Sequence, residues 1–256
     1  MLCAGGKAYY YEPHNITMEE IYRKDYDGEY VILNTKIKDG KRVSEKEWVD
    51  NPIENQHISG RAAVIASGES RSAFPVKKLE RHRGGLLGRK KLQTYGTGEL
   101  HKEMQVDFFV TFDERKLTEC IDSKYTERAT VYTSAKNCLL HPGEFFLVPQ
   151  SMSGKTAVVA TWLACFDGHK EIFLLGFDGQ FCEGYNNNIY IPQDHPDKHK
   201  TIEDHKMRQQ MLELMETYPG VDFYHVHTGQ RTYEEWHNRP NFHRMTYPEW
   251  ISYCDV

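Results

Sequence analysis

A doubly wound α/β fold on a mostly parallel sheet is predicted for this 256-residue chain by three observations. Short apolar runs without alternation, in RAAVIASGES from Arg61 and EIFLLGFD from Glu171, have the character of strands buried on both faces. Those runs stop at small or acidic polar residues, as strands entering ligand loops do in open α/β sheets. Helical stretches lie between the strands, so the two kinds of element alternate from residue 61 onward.

In chain order, residues 1–58 are Tyr-rich and continue into EYVILNTKIKDGKRVSEKEW, strands around an Asp39-Gly40 turn; they predict a small β-rich N-terminal segment. Residues 59–256 are expected to form one Rossmann-like domain. It opens with the strand at Arg61, followed by a helix around Ala73 to Arg83, a strand near Leu92 to Tyr95, and VDFFVTFD, a buried strand closing on Asp113. A strand near residues 144–148, a helix in TAVVATWLAC and the strand ending at Asp178 come next, and CEGYNNNIYIPQDHPDKHK reads as a long functional loop. IEDHKMRQQMLELMETY predicts a helix with Thr201 as N-cap and Met207, Met211, Leu214 and Met215 on its core face. VDFYHVHT is the last strand, before an aromatic, turn-rich tail with Trp236 and Trp250.

Composition narrows the setting. Hydrophobic residues make up 39% of the chain and the mean hydropathy is -0.69, with no run near the roughly 18 apolar residues of a membrane helix. The start, MLCAGGKAYYYEPHN, lacks a basic region followed by an apolar run, so a cytoplasmic protein without a membrane anchor is expected. Cys3, Cys120, Cys138, Cys165, Cys182 and Cys254 form no CxxC pair and read as free thiols. A net charge of -5 argues against a protein that coats nucleic acid. Yet KKLERHRGGLLGRKK, from Lys77 to Lys91, is basic, and its Arg89, Lys90 and Lys91 are candidates for phosphate contact; the alternative is a solvated helix face and a glycine turn.

In a doubly wound sheet the loops after successive strands converge, which would gather Ser67 to Ser70, Thr111 to Asp113, Ser151 to Gly154 and Phe177 to Asp178 along one cleft. The small residues before TAVVATWLAC open a helix whose free amides suit an anion. Ser153-Gly154-Lys155-Thr156 also matches the end of a P-loop, with Asp178 as its magnesium acid, giving an alternative reading as a Mg-dependent kinase or NTPase. That motif needs a glycine where this chain has Pro149, which lacks an N–H, and residues 149–153 contain no glycine. A third reading is a non-catalytic nucleotide-binding module. His225 and His227 alternate on one strand face as half a metal site, without a third ligand in the spacing, so no metal is expected.

A Ser-Gly pair after the first strand, Ser67-Gly68-Glu69-Ser70, a second pair before a helix, Ser153-Gly154, and a strand ending Gly176-Phe177-Asp178 recur in this order elsewhere. The set resembles the bacterial sialyltransferases of glycosyltransferase family 42 and the related sialyltransferase-like and pyrophosphokinase-like proteins, over residues 61–230. The resemblance implies an inverting glycosyltransferase that uses a CMP- or UDP-linked nucleotide sugar as co-substrate, with no bound cofactor and no metal. It implies donor binding by Ser67, Gly68, Ser70, Ser153, Gly154 and Asp178, to which loop convergence adds Thr111, Asp113 and Phe177. It further implies tyrosines that hold the phosphate, here Tyr185 and Tyr190, and a histidine base, for which His199 is chosen over His195 and His205. The chain departs from the family in carrying Gln180 where the first tyrosine stands and Ser67 in place of an asparagine. The acceptor implied is a glycan; the basic run raises a hydroxymethylated DNA base as the alternative. Oligomeric state is not legible.

Overall fold

The computed structural model describes residues 8–12, 15–23, 29–39, 41–50, 60–82, 92–148, 154–178, 186–199, 205–229 and 232–256. The chain divides into two compact units, Met1–Glu54 with Val131–Ser153, and Asn55–Thr130 with Gly154–Val256. In the first, β1 (Ala8–Glu12), β2 (Asn15–Arg23), β3 (Glu29–Lys38) and β4 (Lys41–Asp50) form a four-stranded antiparallel sheet in sequence order. Lys38 pairs with Lys41 across the last hairpin, and Asp39 adopts φ 52, the left-handed conformation such a tight turn requires.

From residue 61 the elements are β5 (Arg61–Ile65), β6 (Gln93–Gly96), β7 (Phe108–Val110), α1 (Glu114–Asp122), β8 (Thr130–Thr133), α2 (Ala135–Leu140) and β9 (Phe146–Leu147). There follow α3 (Thr156–Phe166), β10 (Glu171–Leu175), α4 (His205–Thr217), β11 (Asp222–His227), α5 (Glu234–His237), β12 (Phe242–Thr246) and α6 (Tyr247–Cys254). In the second unit the strands build a parallel sheet in the order β12-β11-β10-β5-β6-β7, a Rossmann-like α/β architecture, and β8 pairs in parallel with β9. The chain therefore runs outward from β5 through β6 and β7, returns through α3, and builds the other side from β10. Strand order reverses between β5 and β10, which is where open α/β sheets leave a crevice for a ligand.

The apolar runs explain the centre of this sheet: Ala62 to Ile65 on β5 and Ile172 to Leu175 on β10 are all fully buried. Helix α3 is apolar all round, and every residue from Val158 to Phe166 is buried as it packs on β5, β6 and β7. On α4 the expected stripe, Met207, Met211, Leu214 and Met215, faces the core. Asn241 fixes the far end of α4, its Nδ2 donating to the carbonyls of Met215, Tyr218 and Val221 at 3.0–3.1 Å and so satisfying carbonyls that a helix end leaves open.

Several expectations change. The helix expected around Ala73 to Arg83 is two 3₁₀ segments, Glu69–Ala73 and Val76–His82, because Pro75 has no N–H and holds Phe74 extended at φ -129, ψ 130. The tail is no run of turns: it carries β12 and α6, the latter opened by a capping box between Thr246 and Glu249. Cys120, Cys138, Cys165 and Cys254 are free thiols, while Cys3, Cys182 and Thr201 lie outside the described residues. Among the described residues no helix is long and apolar enough to cross a membrane.

One polar chain crosses the core away from the crevice. The Tyr95 hydroxyl on β6 donates to Asp167 Oδ2 at 2.6 Å and lies 3.0 Å from Nε2 of the fully buried His169. Asp167 caps the end of α3 and has 5% exposure, and its burial lifts the carboxyl to about 7 against the pull of the Tyr95 hydroxyl. A carboxyl whose folded pKa lies above its unfolded one binds a proton more tightly in the fold, so its stabilisation is complete below the unfolded pKa and is lost as pH rises to the folded one. Urea unfolding should therefore show stability falling between about pH 4 and about pH 7, with a contribution from this group approaching ~1.4 kcal/mol per pH unit. Asp167→Asn should flatten that slope; an unchanged slope in the variant would assign it to other groups.

Candidate functional site

The crevice begins where β5 and β10 end. Pairing continues past both strands, with Ala66 N–H on the Leu175 carbonyl at 2.9 Å and Gly68 N–H on the Gly176 carbonyl at 3.0 Å. The approach leaves no room for side chains: a Cβ on Gly68 would lie 2.5 Å from the Gly176 carbonyl oxygen and 2.7 Å from Asp178 Oδ2. Gly176 itself adopts φ +70, and a Cβ there would lie 3.0 Å from the Ala66 carbonyl oxygen. These two glycines let two loops meet backbone to backbone at the floor of the crevice.

Asp178 then closes the loop after β5. Its Oδ2 accepts the Ser70 N–H at 2.7 Å and its Oδ1 accepts the Ser70 hydroxyl. With 4% exposure the carboxyl is pushed above the usual range by burial, opposed by those two hydrogen bonds. Both oxygens of the acid are thus committed to shaping the Ser67–Ser70 loop. Asp178 is the one carboxylate lining the crevice among the described residues, and the engagement of both its oxygens by Ser70 counts against reading it as the magnesium acid of a P-loop.

The opposite wall is the start of α3. Lys155 is its N-cap with extended backbone and no side-chain cap, so the amides of Thr156 and Ala157 have no partner within the helix. Lys155 N–H donates to Gln210 Oε1 on α4 at 3.1 Å, and a Cβ on Gly154 would press on the same side chain at 3.1 Å. Thr156 and Ala157 line a cavity of about 330 Å³ together with Gly68, Gly98, Asp178 and the Asn186–Asn188 strip. That size lies within the range of small-molecule sites, and the uncapped helix start offers an anion two amides and the positive end of the helix dipole.

The strip is fastened to the β5 loop by two buried cations. Lys198, 1% exposed, donates from Nζ to Glu69 Oε1 at 3.1 Å and to the Asn188 carbonyl at 3.3 Å, while its own carbonyl accepts the Asn186 N–H at 2.6 Å. Arg71, 2% exposed, reaches Glu103 Oε1 at 2.7 Å and the Tyr190 hydroxyl, with its guanidinium carbon 5.2 Å from the Tyr190 ring centre. Gly68 and Asn188 form an antiparallel bridge, and Ile189 N–H donates to the Ser67 carbonyl at 3.0 Å. Lone charges so buried would be costly; each here has an anionic partner.

Of the residues expected from sequence, Ser67, Gly68, Phe177 and Asp178 line the crevice, and Ser70 shapes it through Asp178. Gly154 sits at the foot of the α3 wall against Gln210. Thr111 and Asp113 are engaged locally: Asp113 caps α1 by accepting the Arg115 N–H at 2.9 Å, and the Thr111 hydroxyl accepts the Asp113 N–H at 3.3 Å. The Tyr190 hydroxyl belongs to the Arg71–Glu103 cluster, where burial raises its pKa. His199 is exposed at the end of the 3₁₀ segment Pro196–His199, next to Lys198; His195 and His205 are exposed as well. Ser151, Ser153, Tyr185, Arg89, Lys90 and Lys91 lie outside the described residues.

His225 is fully buried and stacks on His227 at 5.8 Å, its pKa lowered to about 3 by burial first and by neighbouring cationic groups second. The metal-ligand types that converge among the described residues lie elsewhere, at Glu99, His101 and Glu119, and Lys102 Nζ already lies 2.7 Å from Glu99 and 2.9 Å from Glu119. Sequence reasoning missed Asn186, Asn188, Thr97, Gly98 and Lys198. The Gly96-Thr97-Gly98 turn directly after a strand was the available signal for two of them.

No family model matches the chain, and no curated protein matches it. Among solved structures it is similar to a variant of the sialyltransferase CST-II in complex with CMP, at 12% identity over 66% of this chain and 83% of that one, with a TM-score of 0.47.

The glycine contact makes a sharp prediction. Gly68→Ala must displace backbone rather than a side-chain tip, so it should cost on the order of 1–3 kcal/mol of stability. Ala at Gly220, where nothing lies within 4 Å of the new Cβ, should be far milder. Equal effects in denaturant unfolding would show that the contact at Gly68 is not tight.

Proposed function

We propose that this protein is a glycosyltransferase that binds a nucleotide sugar in the crevice between β5 and β10 and moves the sugar to an acceptor hydroxyl. The observation that carries the reading is the meeting of three short motifs, distant in sequence, around one crevice at the strand-order reversal. They are the Ser67–Ser70 loop, the helix start after Gly154, and Gly176-Phe177-Asp178. The donor's phosphate lies against the Thr156 and Ala157 amides, which meet the charge that grows on the leaving phosphate as the sugar bond breaks. Ser70 and Asp178 keep the β5 loop in the shape that admits the nucleotide. His199 takes the proton of the acceptor hydroxyl, the general-base role that an imidazole nitrogen can fill. Its fixed neighbour Lys198 holds that end of the segment to Glu69. Tyr185 supports the phosphate, the donor base is cytosine or uracil, and the acceptor is a glycan.

Thermal unfolding with CMP, UDP, GDP and ATP, each with and without magnesium, tests the reading. A nucleotide at 100 times its dissociation constant stabilises by about 2.7 kcal/mol, a shift of roughly 2 to 4 °C for a chain of this size. CMP or UDP should give that shift with or without magnesium. A response confined to ATP or GDP with magnesium would replace the transferase reading with the kinase or NTPase one. His199→Ala should abolish transfer from the donor while leaving the nucleotide shift intact; undiminished turnover would remove His199 from the mechanism.

A further inference from the structure

We infer that Asn186 and Asn188 are the specificity-determining residues of the crevice, each presenting a side-chain NH₂ donor to acceptor atoms of the bound nucleotide; this rests on the nucleotide reading of the site. Both residues line the crevice, and Asn186 has 5% exposure. Asn186 Oδ1 accepts the backbone N–H of Asn188 at 3.0 Å, and Asn188 Oδ1 accepts the backbone N–H of Tyr190 at 3.0 Å. A backbone N–H is a donor only, so the atom facing it in each carboxamide is the oxygen, and this fixes which way round both amides stand. Their Nδ2 groups therefore turn away from the strip's own backbone. Neither has a partner among the described residues, and neither is a fully buried atom.

The strip has little freedom to withdraw these donors. Lys198 Nζ holds the Asn188 carbonyl, the Lys198 carbonyl holds the Asn186 N–H, and Gly68 bridges Asn188 from the β5 loop. Two donors preset in this way bind a ligand edge made of acceptors at little ordering cost and penalise one that offers donors. Asn187, between them, has other interactions and lacks this arrangement.

Aspartate separates the donor from the fold, because a carboxylate oxygen still accepts the same backbone N–H while the NH₂ is gone. Binding of CMP and UDP to the full chain is measured by calorimetry for the wild type, Asn186→Asp, Asn188→Asp and Asn187→Asp, the last adding the same charge without removing a preset donor. Asn186→Asp and Asn188→Asp are each expected to weaken binding about tenfold or more, equivalent to 1.4 kcal/mol, with a cooperative ligand-free unfolding transition retained in each variant. Asn187→Asp is expected to have a much smaller effect. Equal loss in all three variants would make the effect one of charge and overturn the inference, as would wild-type affinity in Asn186→Asp and Asn188→Asp. If the wild type binds neither nucleotide, the reading of the crevice itself fails and the inference falls with it.

Discussion

The contact between Gly68 and Gly176 governs this site. Parallel strands diverge as they end, and loops that carried side chains here would be held apart by at least a Cβ on each side. Without them the Gly68 N–H reaches the Gly176 carbonyl at 3.0 Å, and the chain after β10 comes close enough for Asp178 to take both hydrogens that Ser70 offers. The acid at the end of β10 is a structural tie first. It sets the curvature of the loop after β5, which then sets where Asn188 bridges and where the crevice floor lies.

Charge is used in the same way around the crevice. Lys198 and Arg71 are among the most buried polar residues of the domain, and each pairs with a partly exposed carboxylate, Glu69 and Glu103. Apolar residues of similar volume in their places could pack as well or better. Ion pairs differ from apolar packing in having direction: an ammonium that reaches one carboxylate and one carbonyl fixes a loop in a single register, where a methionine would tolerate several. A site assembled from loops, with strands only as its foundation, gains from that restriction.

The sheet and the α3 unit were legible because burial on both faces imposes long apolar runs, and these survive in RAAVI, FFV and EIFLL. The Ser67-Gly68 and Gly176-Phe177-Asp178 turns were legible because a close backbone approach needs residues without a large side chain. Other elements were less so. Pro75 divides a basic, helix-like stretch into two tight turns, and propensity summed over the window hides that break. Helix α6 was announced by Thr246, Pro248 and Glu249, a capping pattern masked by aromatic residues around it. Lys198 and Arg71 could not be read at all: a lysine in a polar loop looks solvated until the fold supplies Glu69, 129 positions earlier. Asn186 and Asn188 escaped for the same reason, since three consecutive asparagines look like an ordinary turn.

Helix α3 carries one more consequence. Its first turn opens into the crevice, while every residue from Val158 to Phe166 is buried against the sheet. Backbone amides in such a helix exchange with solvent only when the domain opens as a whole, so they report global rather than local opening. A molecule held at Thr156 and Ala157 is thereby fastened to a helix that is buried from Val158 to Phe166. Its presence would register as slowed deuterium uptake in α3 and in β5, β6 and β7 beneath it, in strands that it never touches.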